Sequence, residues 1–329
     1  MRKFLLKLMA FMAMLVGILV LFEIGFRQKP TAFKNKYEGL TKYASDVEVL
    51  VLGHSHANEG VNPRVFSLRT YNMAMGFQNV YFDNYILGHF IDRMDSLKCV
   101  VIATSYYHFF NTLPDWDKLQ GENLFNTVKY HLYWNVDSVK DTRIPSYNPR
   151  CNLEIFNNPA TSYLSMFSYY LRGEAWDKET KQAVDDFCRY GFGQGQDVVH
   201  DETFLDTDGL ATALAHAPHY TEAPVFELTY NYGQYEHIVQ LCHEKGVKVA
   251  IVLFPCWHSY ADNLDTYQLS FTRRMMRQLA SEYDNCVAWD FLQDERFVVS
   301  DFHDAIHLNK DGAIKMGYIL DEQINALLQ

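Results

Sequence analysis

Three short runs of apolar residues constrain this chain more than any other feature. Val47–Leu52, Cys99–Thr104 and Val247–Phe254 are apolar almost without a polar break. A strand with one wet face alternates polar and apolar residues. One that reads apolar throughout is covered on both faces, as in a parallel sheet between helical layers. Tyr71–Met75 and Cys286–Trp289 read as two further strands. Helical spacing marks Asn79–Met94, Tyr232–Lys245 with Gly246 as its stop, Leu264–Glu282 and Asn309–Leu327, and a helix is expected after Pro63. Strand–helix alternation of this kind implies an α/β fold built on a five-stranded parallel sheet. Ligands of such sheets bind beyond the carboxyl ends of the strands.

Two segments interrupt that pattern. Phe4–Phe26 is about 23 residues long and carries two charges, Lys7 and Glu23, near its ends. As a helix it spans about 34 Å, enough to cross a bilayer. No small-x-small cleavage site stands at its end, so a retained anchor over residues 1–27 is expected rather than a signal peptide. Basic residues lie on both sides, Arg2, Lys3 and Lys7 before it and Arg27, Lys29, Lys34 and Lys36 after it, so charge does not set the orientation. The polar stretch 28–45 reads as a juxtamembrane linker, and 46–329 as the globular domain. Within that domain, residues 110–230 show little strict period and are rich in aromatics, among them Trp116, Tyr130, Tyr133, Trp134 and Trp176. They read as a large mixed insertion capping the site, whose rings either stack on sugars or pack a subdomain. Gly191-Phe192-Gly193-Gln194-Gly195 lacks the strand and helix that a phosphate loop needs and reads as an ordinary loop.

The chemistry is concentrated in two places. Gly53-His54-Ser55-His56 follows the first strand, and Asp304-Ala305-Ile306-His307-Leu308-Asn309 stands about 250 residues later. A serine hydroxyl needs a base in reach, and the base needs a third group to hold its tautomer. Asp304 and His307, three positions apart, supply the last two, and Gly53 permits a sharp exit from the strand. Taken singly, each motif is common, and Asp304 or Asn309 could simply cap the final helix.

These residues resemble the SGNH (GDSL-like) hydrolase superfamily. Within it they are most similar to the membrane-anchored branch associated with polysaccharide O-acetylation and with D-alanine transfer. Gly53-His54-Ser55 stands where the family has Gly-Asp-Ser, Asn72-Met73-Ala74-Met75-Gly76 matches the second block, and Asp304 with His307 the last. The likeness covers roughly 46–110 and 230–329. It implies a three-layer α/β/α, flavodoxin-like fold. Ser55, His307 and Asp304 would be catalytic, and the oxyanion would be held by the backbone N–H groups of Ser55 and Gly76. The family's third-block Asn is missing: the third strand ends in Ala103-Thr104-Ser105-Tyr106-Tyr107. Ser105, Tyr106, His54 and His56 are therefore the candidates for oxyanion or substrate contacts. The resemblance also implies acyl, in particular acetyl, transfer or ester hydrolysis without a cofactor. The substrate would be a cell-envelope or exported polysaccharide. The chain would be single-pass in the inner membrane with its domain extracytoplasmic or periplasmic, and a multispanning acyltransferase would be its partner.

Two other readings stay open. His54, His56, Asp301, His303, Asp304 and His307 are numerous enough for a metal-dependent hydrolase. The missing Asn also suits an inactive glycan-binding or scaffold protein. The net charge of −11 argues against nucleic acid. His108 lies just past the third strand, near the expected site. No Cys-x-x-Cys occurs among the six cysteines; Cys99, Cys256 and Cys286 abut apolar runs, and Cys151 and Cys188 are the pair expected if any disulfide forms.

Overall fold

A computed structural model describes residues 1–111, 121–134, 149–174, 177–193, 195–216 and 225–329. The strands are β1 (Val49–Leu52), β2 (Thr70–Asn72), β3 (Cys99–Thr104), β4 (Lys248–Leu253) and β5 (Cys286–Asp290). All pair in parallel, in the order β2-β1-β3-β4-β5. The helices are α1 (Arg2–Gln28), α2 (Ala32–Tyr43), α3 (Ser55–Gly60), α4 (Val80–Phe90), α5 (Gly121–Trp134), α6 (Pro149–Asn152) and α7 (Ala160–Leu171). They continue with α8 (Lys178–Tyr190), α9 (Glu202–His216), α10 (Val225–Glu244), α11 (His258–Ala261), α12 (Thr266–Glu282) and α13 (Lys310–Leu327).

The chain forms two compact units, Met1–Tyr37 with Asp115–Phe187, and Glu38–Pro114 with Cys188–Gln329. The second unit holds the sheet, and its strands are buried on both faces as their composition requires. Val49, Val51, Val101, Ala103, Ala250 and Val252 share one core cluster with Ala57 and Val61 near α3 and Met316, Leu320 and Ile324 of α13. Alternate residues such as Leu50, Leu52, Val100 and Ile102 point to the other face and are equally buried. Helices α4 and α10 pack together there, α10 also against β4. The order changes direction between β1 and β3, so the carboxyl ends of these two strands form the switch point of the sheet.

The structure differs from the sequence reading in three places. After Pro63 there is only a 3-10 turn, Pro63–Val65. The helix lies earlier, at Ser55–Gly60, where the Asn72 amide donates to the Ala57 and Val61 carbonyls and satisfies its end. The polar stretch after α1 contains a helix, α2, whose Phe33 and Leu40 are buried. The stretch 110–230 is helical throughout its regular elements among the described residues, rather than mixed. In the first unit Tyr130 and Trp134 are buried, Trp134 Nε1 donates to the Phe33 carbonyl, and Tyr133 Oη donates to Glu154. These three aromatics pack a subdomain; Trp116 and Trp176 lie outside the described residues. The 191–195 segment is irregular chain between α8 and α9, with Gln194 outside the described residues. All six cysteines are free thiols, so the conditional pair Cys151 and Cys188 is not joined.

Candidate active site

The turn after β1 is built around one glycine. Gly53 has φ +114°, and a Cβ there would stand 2.6 Å from the Ala103 carbonyl oxygen and 2.7 Å from its Cβ. β1 and β3 approach so closely at this point that only hydrogen fits. His54 then caps α3, its Nδ1 accepting from the His56 N–H at 3.5 Å, and Ser55 is the first residue of that helix.

At the other end of the chain, Phe302 and Leu308 form an isolated antiparallel bridge, and the His303 N–H donates to the His307 carbonyl. This closes a short loop. Asn309 is the cap of α13, accepting from the Asp311 and Gly312 N–H groups, so Asp304 is released from capping. Asp304 Oδ1 instead accepts the Ile306 and His307 N–H groups at 2.9 and 2.8 Å. Its carboxylate also meets His307 Nδ1 at 2.9 Å, while His307 Nε2 lies 2.8 Å from Ser55 Oγ. With Asp304 ionised, Nδ1 carries the proton and Nε2 accepts from the serine.

Charge sharpens this assignment. Burial works to raise the Asp304 pKa, but hydrogen bonds from His307 and the Ile306 N–H, with the His307 charge, bring it down to about 2. Burial works to lower the His307 pKa, but the hydrogen bond and charge of Asp304, joined by the charges of Glu59 and Asp208, leave it raised. The ring is thus a stronger base than ordinary histidine, and its partner carboxylate stays ionised.

Several residues that support this constellation have no sequence signature. The Ala305 N–H donates to Asp208 of α9 at 3.0 Å, and its carbonyl accepts the Trp257 N–H at 2.8 Å, so the residue beside Asp304 is pinned from both sides. His303 Nε2 lies 3.4 Å from Asp304 and 3.8 Å from Glu59, behind the carboxylate. Asp83 of α4 is fully buried, and its Oδ1 accepts from the Gly53 N–H at 2.8 Å and from Gln78 Nε2 at 2.5 Å. That single oxygen ties the serine turn to the turn containing Gly76. The two turns also meet through the Met75 N–H, which donates to the Gly53 carbonyl at 3.1 Å. Next to Gly76, Phe77 takes a positive φ of 56° and exposes its ring. For a non-glycine residue that backbone is uncommon.

The other candidates are buried. His54, His56 and His108 pack ring against ring, His54 lying 4.4 Å from His56 and 4.1 Å from His108 between centroids. Desolvation, then the neighbouring imidazoles, lowers the pKa of all three, His108 to about 3, so they are neutral. Ser105 and Tyr106 line, with His56, Cys256 and Tyr260, a space of about 10 Å³, room for about one water. The Ser105 hydroxyl is buried without a hydrogen-bond partner. Of the six residues of the metal reading, His303 and His307 fall, with Glu59, into a group whose ligand atoms lie within 4.8 Å of one another. Asp301 is instead paired with Lys315 and the Val298 N–H. Both ring nitrogens of His307 already have partners, so a cation held there by Nε2 would displace Ser55.

Burial pushes the Asp83 pKa up to about 7, against the hydrogen bonds from Gln78 and Gly53. A raised carboxyl stabilises the fold fully below its unfolded value near 4, and that contribution is lost as the pH climbs towards 7. The difference is at most about 4 kcal/mol. Asn at this position can still accept both hydrogen bonds at its one oxygen. Asp83→Asn should therefore melt higher than the parent chain at pH 8, with the gap closing at pH 5. A parent chain that melts higher at pH 8 would mean the carboxylate charge itself is stabilising.

A five-stranded parallel α/β sheet with a hydrogen-bonded Ser–His–Asp set at its carboxyl edge defines the class of site. No family model and no curated protein matches the chain. Among solved structures, a Bacteroides fragilis NCTC 9343 protein provisionally named an acylhydrolase is similar at 12% identity and a TM-score of 0.42, over 92% of this chain and 100% of its own. A Streptococcus pneumonia protein provisionally named a platelet activating factor is similar at 9% identity and 0.40, over 95% and 99%.

Proposed function

We propose that this chain is a serine-dependent acyl transferase or ester hydrolase with Ser55 as nucleophile, His307 as base and Asp304 as the orienting carboxylate. The observation that carries the reading is the 2.8 Å bond from Ser55 Oγ to His307 Nε2, with Asp304 bound to the far side of the ring. Ser55 gives its proton to Nε2 as its oxygen bonds to the acyl carbon. The leaving alcohol takes that proton as its bond to carbon breaks. An acceptor hydroxyl then repeats the exchange and frees Ser55.

The negative oxygen of each tetrahedral state is assigned to the backbone N–H groups of Ser55 and Gly76. The unpartnered hydroxyl of Ser105 is the third donor in place of the family's Asn. In an enclosed site such a donor is worth about a hundredfold in rate. The proposed acyl acceptor or ester is a cell-envelope or exported polysaccharide. The resemblance at the motifs supports it, and Phe77 offers an exposed ring beside the Gly76 turn on which a sugar could stack. Among the described residues α1 is the one helix long and apolar enough to cross a membrane. With it as a single-pass anchor, the proposal puts the domain on the extracytoplasmic side, near a multispanning acyl donor.

Fluorophosphonate labelling of the full chain, located by mass spectrometry, tests the nucleophile. The label is expected on Ser55, and a chelator should leave it unchanged. Labelling that vanishes on chelation would favour a metal at Glu59, His303 and His307. The hydrolysis of an activated ester should rise with pH through a midpoint above 6.5, because His307 works only when neutral and its pKa is raised. A midpoint below 6.5 would show that the ring is not the base.

A further inference from the structure

The first unit carries an apolar surface that the acyl chemistry does not use. The last turns of α1 are held by the segment 152–171. Glu23, the acidic residue within the apolar helix, accepts the Glu154 and Ile155 N–H groups at 3.1 and 3.0 Å, together with Arg27 Nε. Helix α7 packs on the same turns: Tyr163 sets its ring edge against Phe22 and Phe26, and Tyr170 Oη donates to the Gly25 carbonyl. With Met166, which stands against Gly25, these residues follow the spacing 163, 166, 170 and form one face of α7.

The adjacent face, one residue on, is Leu164, Phe167 and Leu171, exposed by 76%, 57% and 71%. Phe156, just after the Glu23 contact, is 52% exposed, and so are Leu21 and Ile24 of α1 at 69% and 46%. A soluble surface rarely presents so many large apolar side chains on one short element.

We propose that α7 lies flat in the membrane boundary, with Leu164, Phe167 and Leu171 inserted among the lipid acyl chains beside α1. Depth supports lipid as the occupant. The 27 residues of α1 span about 40 Å, and about 30 Å of hydrocarbon takes about 20 of them. The turns that hold α7 therefore fall at the headgroup level, where an amphipathic helix buries its apolar side. The apolar window of α1 is itself wholly uncovered. The flanking groups also suit that level. Lys29 Nζ lies over the Tyr169 ring at 5.9 Å, and a cleft of about 350 Å³ lined by Gln28, Tyr169, Tyr170 and Lys181 opens beside them. Tyrosine and lysine collect where acyl chains meet water. Glu23 is turned from lipid toward backbone donors at the same height.

The inference is independent of the acyl chemistry but rests on α1 entering a bilayer, and one experiment reads the two helices separately. The full chain is reconstituted in phosphatidylcholine–phosphatidylglycerol vesicles. They contain a trace of phosphatidylcholine bearing a diazirine high on one acyl chain. After illumination, adducts are mapped by mass spectrometry. Adducts are expected on α1 and on Leu164, Phe167 and Leu171. The double variant Leu164→Glu, Phe167→Glu should lose the α7 adducts at least tenfold while keeping those on α1 and the fluorophosphonate label that reports a folded second unit. Adducts confined to α1 would overturn the proposal, as would a cross-linked dimer that joins α7 faces without lipid adducts. An unlabelled α1 would remove its premise, the membrane span itself.

Discussion

Replacing Ser55 by alanine should abolish fluorophosphonate labelling and lower turnover of an activated ester by about ten-thousandfold or more. The size follows from the unit character of the site. Without the hydroxyl, His307 and Asp304 have no proton to move, and what remains comes from binding and oxyanion contacts alone. His307→Ala should lose a similar factor, and the double variant should be little worse than either single one, since each breaks the same proton path. Losses that simply multiplied would mean that the two side chains act separately despite their 2.8 Å contact. Retained turnover in the alanine variant would leave the metal reading standing in its place, and a parent chain without turnover or label would leave the inactive scaffold.

Gly53→Ala is expected to prevent the second unit from folding, a loss of more than about 4 kcal/mol, where single changes become exceptional. Two costs combine. The backbone sits at φ +114°, a region closed to alanine, and its Cβ would penetrate the Ala103 carbonyl, Cβ and N at 2.6, 2.7 and 2.9 Å. All three atoms belong to a backbone or a one-carbon side chain in the middle of the sheet, so nothing flexible can yield. Gly76 makes the comparison sharp. No atom stands within 4 Å of its would-be Cβ, and its φ lies outside the left-handed range. Gly76→Ala should melt within a few degrees of the parent. Thermal unfolding of the two variants in detergent decides the matter, and a Gly53→Ala variant that melts normally would show that β1 and β3 can separate at this turn.

The three long strands were visible because burial on both faces writes itself into composition, and each was found within two residues of its observed ends. Cys286–Trp289 was found to within one residue, and Tyr71–Met75 overlapped β2 but ran beyond it, because short edge strands carry a weak pattern. The helix after Pro63 was misplaced because the residues of α3, Ser55–Gly60, have no apolar period. An amide from Asn72 on the neighbouring strand completes it. In α5 and α7 the aromatics stand at irregular spacing, which masks the 3.6-residue repeat.

The supporting shell of the site was not legible at all. Asp83 reaches Gly53 across 30 residues and Asp208 reaches Ala305 across 97. Nothing in an isolated aspartate distinguishes these from surface carboxylates.

The sequence by itself determined the parallel α/β plan, the apolar first helix and the local partnership of Asp304 with His307, because each depends on periods or spacings within a few residues. Tertiary structure alone decided that Ser55 meets His307 across 252 positions. It also decided that His54, His56 and His108 are buried neutral rings and that one face of α7 is left uncovered. Those outcomes depend on which surfaces remain after the sheet and its helices have closed, and no local pattern records that.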